Sequence, residues 1–184
     1  MNHTTSKTSY LTVGNRIPQD FSITKGVGES DITIHAGSYH LALKDAGIEM
    51  CNIITYSSIL PGIAREIPLP SALVHGSVME SIMAVSNCRK GQRATASIIF
   101  GWLHDKKTGK RYGGLVCEYN GSKTESEAKD ELRQSLDELY TNGYSGRYDL
   151  KGIRAFTKSF IPKKEYGTAI VALCFTSYLY PIIK

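Results

Sequence analysis

Three groups of residues have types and positions that could support chemistry: the pair Ser57-Ser58, the carboxylic acid Glu118 and the amide Asn52. An apolar, β-branched run leads into the serine pair, and Pro61, which cannot donate to a sheet ladder, follows it. This pattern predicts a strand that ends near the serine pair, with two hydroxyl groups where the extended chain turns. On residue types alone, a polar strand end is the ordinary explanation of such a pair.

Glu118 follows the residues Leu115, Val116 and Cys117 in a segment that predicts another strand. Burial in an apolar strand raises the pKa of a carboxyl group, because the charged form loses its hydration. A carboxyl group in that position keeps a proton available and can act as a general acid. The residue is therefore the candidate proton donor. The alternative is an ordinary outward-facing glutamate on an alternating strand.

The serine pair belongs to a longer block, residues 57–61, and Asn52 lies six positions before Ser58. Together they resemble the cleavage region of the pyruvoyl-dependent arginine decarboxylases. The resemblance extends upstream through residues 45–48 and resumes downstream at residues 114–121. The order and approximate spacing of these blocks fit from about Ser38 to the C-terminus, and they are closest to the bacterial members.

Decarboxylation of an amino acid leaves a carbanion at Cα, so the enzyme needs an electron sink. Pyridoxal phosphate is the usual one, but the sequence has no glycine-rich phosphate loop that opens a helix. The resemblance implies a pyruvoyl group made from Ser58 instead. Its hydroxyl group attacks the carbonyl of Ser57, an ester forms, and β-elimination breaks the chain. The implied product is one domain, 1–184, self-cleaved into a 1–57 β chain and a 58–184 α chain.

The resemblance also implies a role for each candidate residue. The pyruvoyl ketone at Ser58 forms a Schiff base with the substrate amine, and Glu118 falls on the family's catalytic glutamate, which returns a proton to Cα. Asn52 helps to position the cleavage region and the active site, unless it only satisfies backbone groups at a strand end. Ser57 donates to the substrate carboxylate or to the oxyanion of the ester step, unless its hydroxyl group is a spectator.

The implied reaction converts L-arginine to agmatine and carbon dioxide. Two alternatives stay open: a pyruvoyl decarboxylase of another basic amino acid, such as lysine or ornithine, and an unprocessed homologue that binds small molecules or assembles with partners. A guanidinium group pairs best with a carboxylate, and some relatives carry an aspartate where this sequence has His40. Asp31, Asp45 and Glu49 are candidate substitutes that the sequence does not rank. No histidine spacing indicates a metal site.

The elements that must position these residues are two helices and many strands. One helix is predicted from Ser38, as N-cap, to Ala46, with Gly47 as its stop. The other is predicted over 124–140, with a capping box at Thr124 and Glu127. The stripe predicted to be buried on this second helix is Ala128, Leu132, Leu136 and Leu139. Strands are predicted at 11–13, 20–24, 53–58, 74–85, 94–102, 114–119, 148–160 and 168–180, and a loop at 26–31.

These elements predict the α+β class. The resemblance implies more: a four-layer α/β/β/α sandwich with largely antiparallel sheets, assembled as a trimer whose active sites lie between neighbouring subunits. Periodicity alone predicts neither the number of layers nor the trimer.

Composition narrows the function class. With 22 basic and 17 acidic residues the net charge is +5, but the only basic cluster, 106–111, contains Gly109 and predicts a solvated hairpin loop. We therefore expect no nucleic-acid partner. No apolar run reaches membrane-spanning length, and the first residues are too polar for a signal peptide, so the expected location is cytoplasmic. The four cysteines show no metal or redox spacing and are expected to be buried, reduced thiols.

Overall fold

The structure, a computed structural model, describes residues 11–183. Its strands are β1 (Ile17–Pro18), β2 (Asp20–Ser30), β3 (Asn52–Thr55), β4 (Ile59–Pro61), β5 (Arg65–Glu66), β6 (Val78–Arg89), β7 (Ala94–Asp105), β8 (Arg111–Gly121), β9 (Tyr148–Phe160), β10 (Tyr166–Phe175) and β11 (Tyr178–Leu179). Its helices are a π-helical turn (Ile34–Tyr39), α1 (His40–Asp45) and α2 (Glu125–Gly143). The predicted α+β class is confirmed.

Five strands form a mixed sheet in the order β3-β6-β10-β2-β5. The three long central strands are antiparallel, whereas the short edge strands β3 and β5 run parallel to their neighbours. β10 is buried along nearly its whole length, which explains its almost continuous apolar sequence, because a central strand is covered on both faces. The prediction of one strand over 168–180 is wrong. The chain leaves the sheet after Phe175, and β11 pairs with β1 in a separate ribbon.

Four strands form an antiparallel sheet in the order β4-β8-β7-β9. The hairpin between β7 and β8 carries the basic cluster, and Gly109 adopts a positive φ of 69° there. The Asp105 carboxylate accepts backbone hydrogen bonds from Lys107 at 3.0 Å and Thr108 at 2.9 Å. The predicted solvated hairpin loop is therefore confirmed.

The loop predicted at 26–31 is wrong, because β2 continues through Gly26 and Gly28 to Ser30. A Cβ atom on Gly28 would lie 2.2 Å from the carbonyl oxygen of Ser38, and one on Gly26 would lie 2.2 Å from that of Ala42. Both contacts are shorter than any real side chain allows. The two glycines let the helical segment lie directly on the strand, which is a recognised use of glycine inside a sheet.

The start of the first helix also differs from the prediction. Helical structure begins four residues earlier, in the π-helical turn, and Ser38 lies inside that turn instead of capping it. Ser38 is fully buried, and its hydroxyl group forms a 2.8 Å hydrogen bond with that of Thr168 on β10. Tertiary packing has therefore overridden the local capping preference of serine. The predicted stop is confirmed, since Gly47 adopts a φ of 73°.

Helix α2 matches the sequence prediction closely. The Thr124 side chain accepts from the Glu127 backbone N–H, and the Glu127 carboxylate accepts from the Thr124 N–H at 2.8 Å, so the capping box is formed. Three residues of the predicted stripe are buried, but Leu139 is 40% exposed. The helix also extends to Gly143, three residues beyond the predicted end.

Apolar side chains form three clusters. The first contains residues of both large sheets, including Phe21, Ile82, Ile98, Phe100 and Val116. The second joins α1 to the five-stranded sheet through residues such as Ala42, Leu43, Ile170 and Ala172. The third joins α2 to the four-stranded sheet through residues such as Ile99, Leu115, Leu132 and Leu136. Each large sheet is therefore in contact with one helix and with the other sheet.

The four cysteines carry free thiols. Cys174 is fully buried, as expected, but Cys51, Cys88 and Cys117 are partly exposed. Among residues 11–183, no helix is long and apolar enough to cross a membrane.

Candidate active site

The chain passes from one large sheet to the other at the serine pair. Tyr56 is the last residue held by the five-stranded sheet, where its N–H donates to the carbonyl of Ser81 at 2.8 Å. Ile59 is the first residue of β4, in the four-stranded sheet. The strand predicted to end at the pair ends just ahead of it, and Ser57 and Ser58 span the two sheet edges.

The pairing of β4 with β8 brings Ser58 to Glu118, although sixty positions separate them in the chain. The Ser58 hydroxyl group donates to Glu118 Oε1 at 2.5 Å, and the Ser58 carbonyl accepts from the Val116 N–H at 3.1 Å. Both side chains are half-buried. A hydrogen bond from a hydroxyl group to a carboxylate is of the short, charge-assisted type.

The position of Glu118 follows from strand alternation. Residues two apart share a face of a strand, so Glu118 lies on the same face of β8 as Val116, which belongs to the cluster formed by both sheets. Its cross-strand partner on β7 is Ile98, which is only 2% exposed. Glu118 therefore lies at the apolar border of the space between the sheets, and this geometry favours a site residue over an outward-facing glutamate.

A tight turn surrounds Ser58. The Ile59 N–H donates to the Ser57 carbonyl at 2.9 Å, which closes a γ-turn centred on Ser58. The donor polarises that carbonyl, while Glu118 can accept the proton of the neighbouring hydroxyl group. The turn and the adjacent Glu118 on β8 therefore bring together a nucleophile, a proton acceptor and a hydrogen-bond donor for an oxyanion.

Asn52 lies at the start of β3 and is exposed. Its Nδ2 donates to the carbonyl of Gly76 at 2.9 Å, and its backbone N–H donates to that of Ser77 at 2.8 Å. Within the part of the chain that the structure describes, no hydrogen bond joins Asn52 to the serine pair. Ser57 is exposed as well, and its hydroxyl group has no partner among residues 11–183.

The candidates for guanidinium binding do not converge on Ser58. Asp45 accepts from the Val27 N–H at 2.9 Å, and Asp31 accepts from the Glu165 N–H at 3.3 Å. His40 is exposed on α1, and Glu49 is half-buried beyond it. No three histidine, cysteine or acidic side chains in the described residues are arranged to hold a metal ion.

Sequence reasoning missed a polar cluster beside the serine pair. The Tyr56 hydroxyl group donates to the carboxylate of Glu80, which is only 2% exposed and is paired with Arg16. The signal was present, because Glu80 interrupts the apolar strand β6. A lone charge in such a strand could equally have faced solvent, and only the pairing of β3 with β6 reveals its partners.

The thiol of Cys117, the residue before Glu118, lies on the opposite side of β8. Burial raises the pKa of Cys117 to about 11, and the negative charge of Glu118 adds to the shift. The side of β8 opposite to Glu118 is therefore apolar, since Cys117 packs in the cluster under α2.

Comparison with known proteins identifies the group to which this site belongs. The family model described as "Pyruvoyl-dependent arginine decarboxylase" matches residues 20–179. The chain is 30% identical over 192 residues to "Pyruvoyl-dependent arginine decarboxylase AaxB" of Chlamydia abortus, covering 90% of this chain and 94% of that protein.

Two further relatives agree. The "Probable pyruvoyl-dependent arginine decarboxylase" of Chloroherpeton thalassium is 36% identical over 133 residues, covering 65% of this chain and 70% of that protein. "Pyruvoyl-dependent arginine decarboxylase 2" of Archaeoglobus fulgidus is 30% identical over 165 residues, covering 86% and 97%. The span matched by the family model contains the serine pair, its turn and Glu118. Because the family model and these relatives match most of the chain, the chain belongs to the pyruvoyl-dependent arginine decarboxylase family.

Proposed function

We propose that this chain cleaves itself between Ser57 and Ser58 and then decarboxylates L-arginine to agmatine and carbon dioxide. The observation that carries the proposal is the 2.5 Å hydrogen bond from the Ser58 hydroxyl group to Glu118, on a turn between two sheets. Family membership supplies the reaction, and the turn supplies groups that fit the formation of the pyruvoyl group from this serine.

Self-cleavage starts from the turn around Ser58. The Ser58 oxygen attacks the Ser57 carbonyl carbon, the peptide C–N bond breaks, and an ester with a free amine remains. The Ile59 N–H, bonded to the same carbonyl at 2.9 Å, stabilises the oxyanion of this step. Loss of the Cα proton of residue 58 then expels the Ser57 carboxylate. The resulting enamine takes up one water and releases ammonia, which leaves a ketone at residue 58.

When formed, the pyruvoyl group supplies the electron sink for decarboxylation. Glu118 is the residue of this chain that handles protons beside residue 58, since its carboxyl group lies within hydrogen-bond distance of that side chain. It is therefore in position to protonate Cα of the product as general acid. The apolar neighbour Ile98 keeps one side of the carboxyl group away from water.

We further propose a trimer with active sites between neighbouring subunits, and a four-layer α/β/β/α arrangement within each subunit. The three apolar clusters support the layers, because each large sheet contacts one helix and the other sheet. Asn52 supports the shared site: it is exposed and has no bond to Ser58 in its own subunit. The exposed apolar residues Ile54 and Val78 beside it suit an interface.

Mass spectrometry of the purified, denatured protein tests self-cleavage. We expect fragments 1–57 and 58–184, the second with a pyruvoyl terminus, and a Ser58→Ala variant that remains one chain and is inactive. An intact wild-type chain with serine at position 58 would favour a binding protein over an enzyme. Carbon dioxide release from arginine, lysine and ornithine then tests the substrate, and equal rates with all three would contradict arginine specificity.

Mixed oligomers test the shared site. Chains with Asn52→Ala and chains with Glu118→Gln are co-expressed with different tags, and the complex that carries both tags is isolated. If Asn52 serves the site of a neighbour, some sites in the mixed complex contain both native residues, and activity exceeds that of either variant alone. Activity no higher than that of the two single variants would place Asn52 and Glu118 in the same subunit's site. Light scattering should give a mass about three times 20.3 kDa.

A further inference from the structure

Glu80 is the one charged side chain that is buried among residues 11–183, with 2% of its surface exposed. Removing a carboxylate from water is costly unless the charge is paired and hydrogen-bonded. A carboxylate at this point of β6 therefore calls for a reason other than packing. Ile82, two residues along on the same face of β6, is fully buried, so the strand could have carried an apolar residue at position 80.

Two side chains satisfy the carboxylate. The Tyr56 hydroxyl group donates to Glu80 Oε2, and Arg16 binds both carboxylate oxygens, with Nε 3.1 Å from Oε2. The Arg16 guanidinium group also lies 5.5 Å from the centre of the Tyr178 ring, within the range of a cation–π contact. The Tyr56 ring packs against Phe175, with 5.6 Å between ring centres.

Tyr56 immediately precedes Ser57, whose carbonyl carbon belongs to the bond that is proposed to break. Its side chain is bound to Glu80 and its N–H to the carbonyl of Ser81, which are adjacent residues of β6. On the other side of the serine pair, the Ser58 carbonyl is bound to the Val116 N–H on β8. The segment is therefore fixed at both ends, to one sheet before the bond and to the other sheet after it.

We propose that Tyr56 and Glu80 are positioning residues for self-cleavage: the buried carboxylate holds Tyr56, and Tyr56 sets the position of the Ser57 carbonyl relative to the Ser58 hydroxyl group. This inference rests on the proposed function. An intramolecular attack is sensitive to small displacements of the reacting atoms, because its rate depends on holding them in a near-attack geometry. Loss of the hydrogen bond from Tyr56 to Glu80 should therefore affect the rate of cleavage more than the stability of the fold.

The same cluster has a second consequence after cleavage. Arg16 and Tyr56 belong to the 1–57 fragment and Glu80 to the 58–184 fragment, so the ion pair joins the two products. Tyr56, which donates to the same carboxylate, is one residue from the new C-terminus at Ser57. The cluster therefore holds the end of the short fragment in place beside the mature site.

The test compares Tyr56→Phe with a matched control, Tyr140→Phe. Both changes remove one hydroxyl group from a half-buried tyrosine and keep its ring; Tyr140 bonds to the Tyr148 carbonyl at 2.8 Å on α2, away from the serine pair. The rate of appearance of the 58–184 fragment is followed by intact-mass measurement on freshly synthesised protein. We expect roughly tenfold slower cleavage in Tyr56→Phe, equivalent to about 1.4 kcal/mol in the barrier, and an unchanged rate in Tyr140→Phe.

Variants of Glu80 distinguish an effect on the position of Tyr56 from a loss of fold stability. They also provide a second test if the Tyr56→Phe variant does not fold. Glu80→Gln can still accept the Tyr56 hydrogen bond, so it should cleave faster than Glu80→Ala, with Tm measured for each. Wild-type rates in both Tyr56→Phe and Glu80→Ala, or equal slowing in Tyr140→Phe, would overturn the inference while cleavage itself stands. A wild-type chain that never cleaves would instead remove the proposed function.

Discussion

The hydroxyl group of Ser58 and the carboxylate of Glu118 meet because the short strand β4 pairs with β8. Both residues were predicted from the sequence, Ser58 from its block and Glu118 from its apolar strand and its match to the family glutamate. Tyr56 and Glu80 were not predicted, because the burial of Glu80 depends on the register between β3 and β6, and residues 56–77, which contain β4 and β5, separate these two strands in the chain. Local residue patterns carry no information on that register.

Replacing Glu118 by Gln tests its role as proton donor. The amide oxygen can still accept the hydrogen bond from Ser58, so we expect cleavage to continue. Turnover on arginine should fall by about a hundredfold or more, the usual contribution of a general acid, when it is measured as kcat per pyruvoyl terminus. Glu138→Gln on the exposed face of α2 makes the same charge change away from the site and should leave kcat unchanged. Undiminished turnover in Glu118→Gln would remove this residue from the mechanism.

The thiol of Cys117 gives a prediction that does not depend on activity. Because burial and the charge of Glu118 raise its pKa to about 11, little reactive thiolate exists at pH 8. Alkylation of Cys117 in the folded protein should be much slower than in the denatured chain, and its rate should rise about tenfold per pH unit towards pH 11. Peptide mass spectrometry measures both rates. Equal rates in the folded and denatured states would contradict the apolar environment assigned to this side of β8.

At the scale of elements, periodicity and capping predicted α2 almost to its ends, because those signals act within a few residues. The same reasoning placed a loop at 26–31, where β2 continues. Glycine is typical of turns, but Gly26 and Gly28 are needed here because the next helical segment of the chain folds back onto the strand. The two glycines did indicate an unusual backbone position. Whether that position was a turn or a close approach of a helix depended on a tertiary contact that the local sequence does not show.

A methyl group on Gly28 tests this close approach. In Gly28→Ala the Cβ atom would lie 2.2 Å from the Ser38 carbonyl oxygen and 2.4 Å from the Ala42 nitrogen, and both are backbone atoms that cannot rotate away. We expect a loss of about 3 kcal/mol in the free energy of unfolding, the upper end of typical overpacking costs. Gly143→Ala, with no atom within 4 Å of its Cβ, should change it by less than about 0.5 kcal/mol.

The comparison is made by urea denaturation in the Ser58→Ala background, so that all variants are single chains. An alanine at position 28 that leaves the denaturation midpoint unchanged would show that α1 does not lie as close to β2 as described.

For the whole molecule, the sequence predicted the α+β class but not the order of strands. The five-stranded sheet joins β2, near the start of the chain, to β10, near its end, and such long-range pairing leaves no periodic signal. The proposals of four layers and of a trimer rest on the family resemblance, because residue patterns within a single chain do not predict the packing of sheets or the contacts between chains.

Acidic side chains on the surface predict how stability depends on pH. A hydrogen bond from Ser177, and then the pairing with Arg65, lower the pKa of Asp20 below its ordinary 3.8. The Thr108 N–H, and then Arg147, lower the pKa of Asp105 in the same way. A carboxyl group with a lowered pKa in the folded state adds stability above its unfolded pKa, and that stability is lost as pH falls through the lower folded value.

We therefore expect Tm to be nearly constant between about pH 7 and pH 5 and to fall below about pH 4. The Tm of the Asp20→Asn variant should be lower than that of the parent protein at pH 6. The two Tm values should approach each other at pH 3, where the aspartate is largely protonated in the unfolded chain. Calorimetry of the Ser58→Ala chain and of the double variant provides the curves. A difference between the two that grows as pH falls would have the wrong sign for this account.

The central claim is that residue 58 of the mature protein is a ketone derived from serine. The most direct measurement treats purified wild-type protein with borohydride in the presence of arginine and determines the mass of the 58–184 fragment and the position of the adduct. We predict one arginine-derived group covalently attached at residue 58, and none in Ser58→Ala. A fragment or intact chain that keeps serine at position 58 and traps nothing would contradict the account.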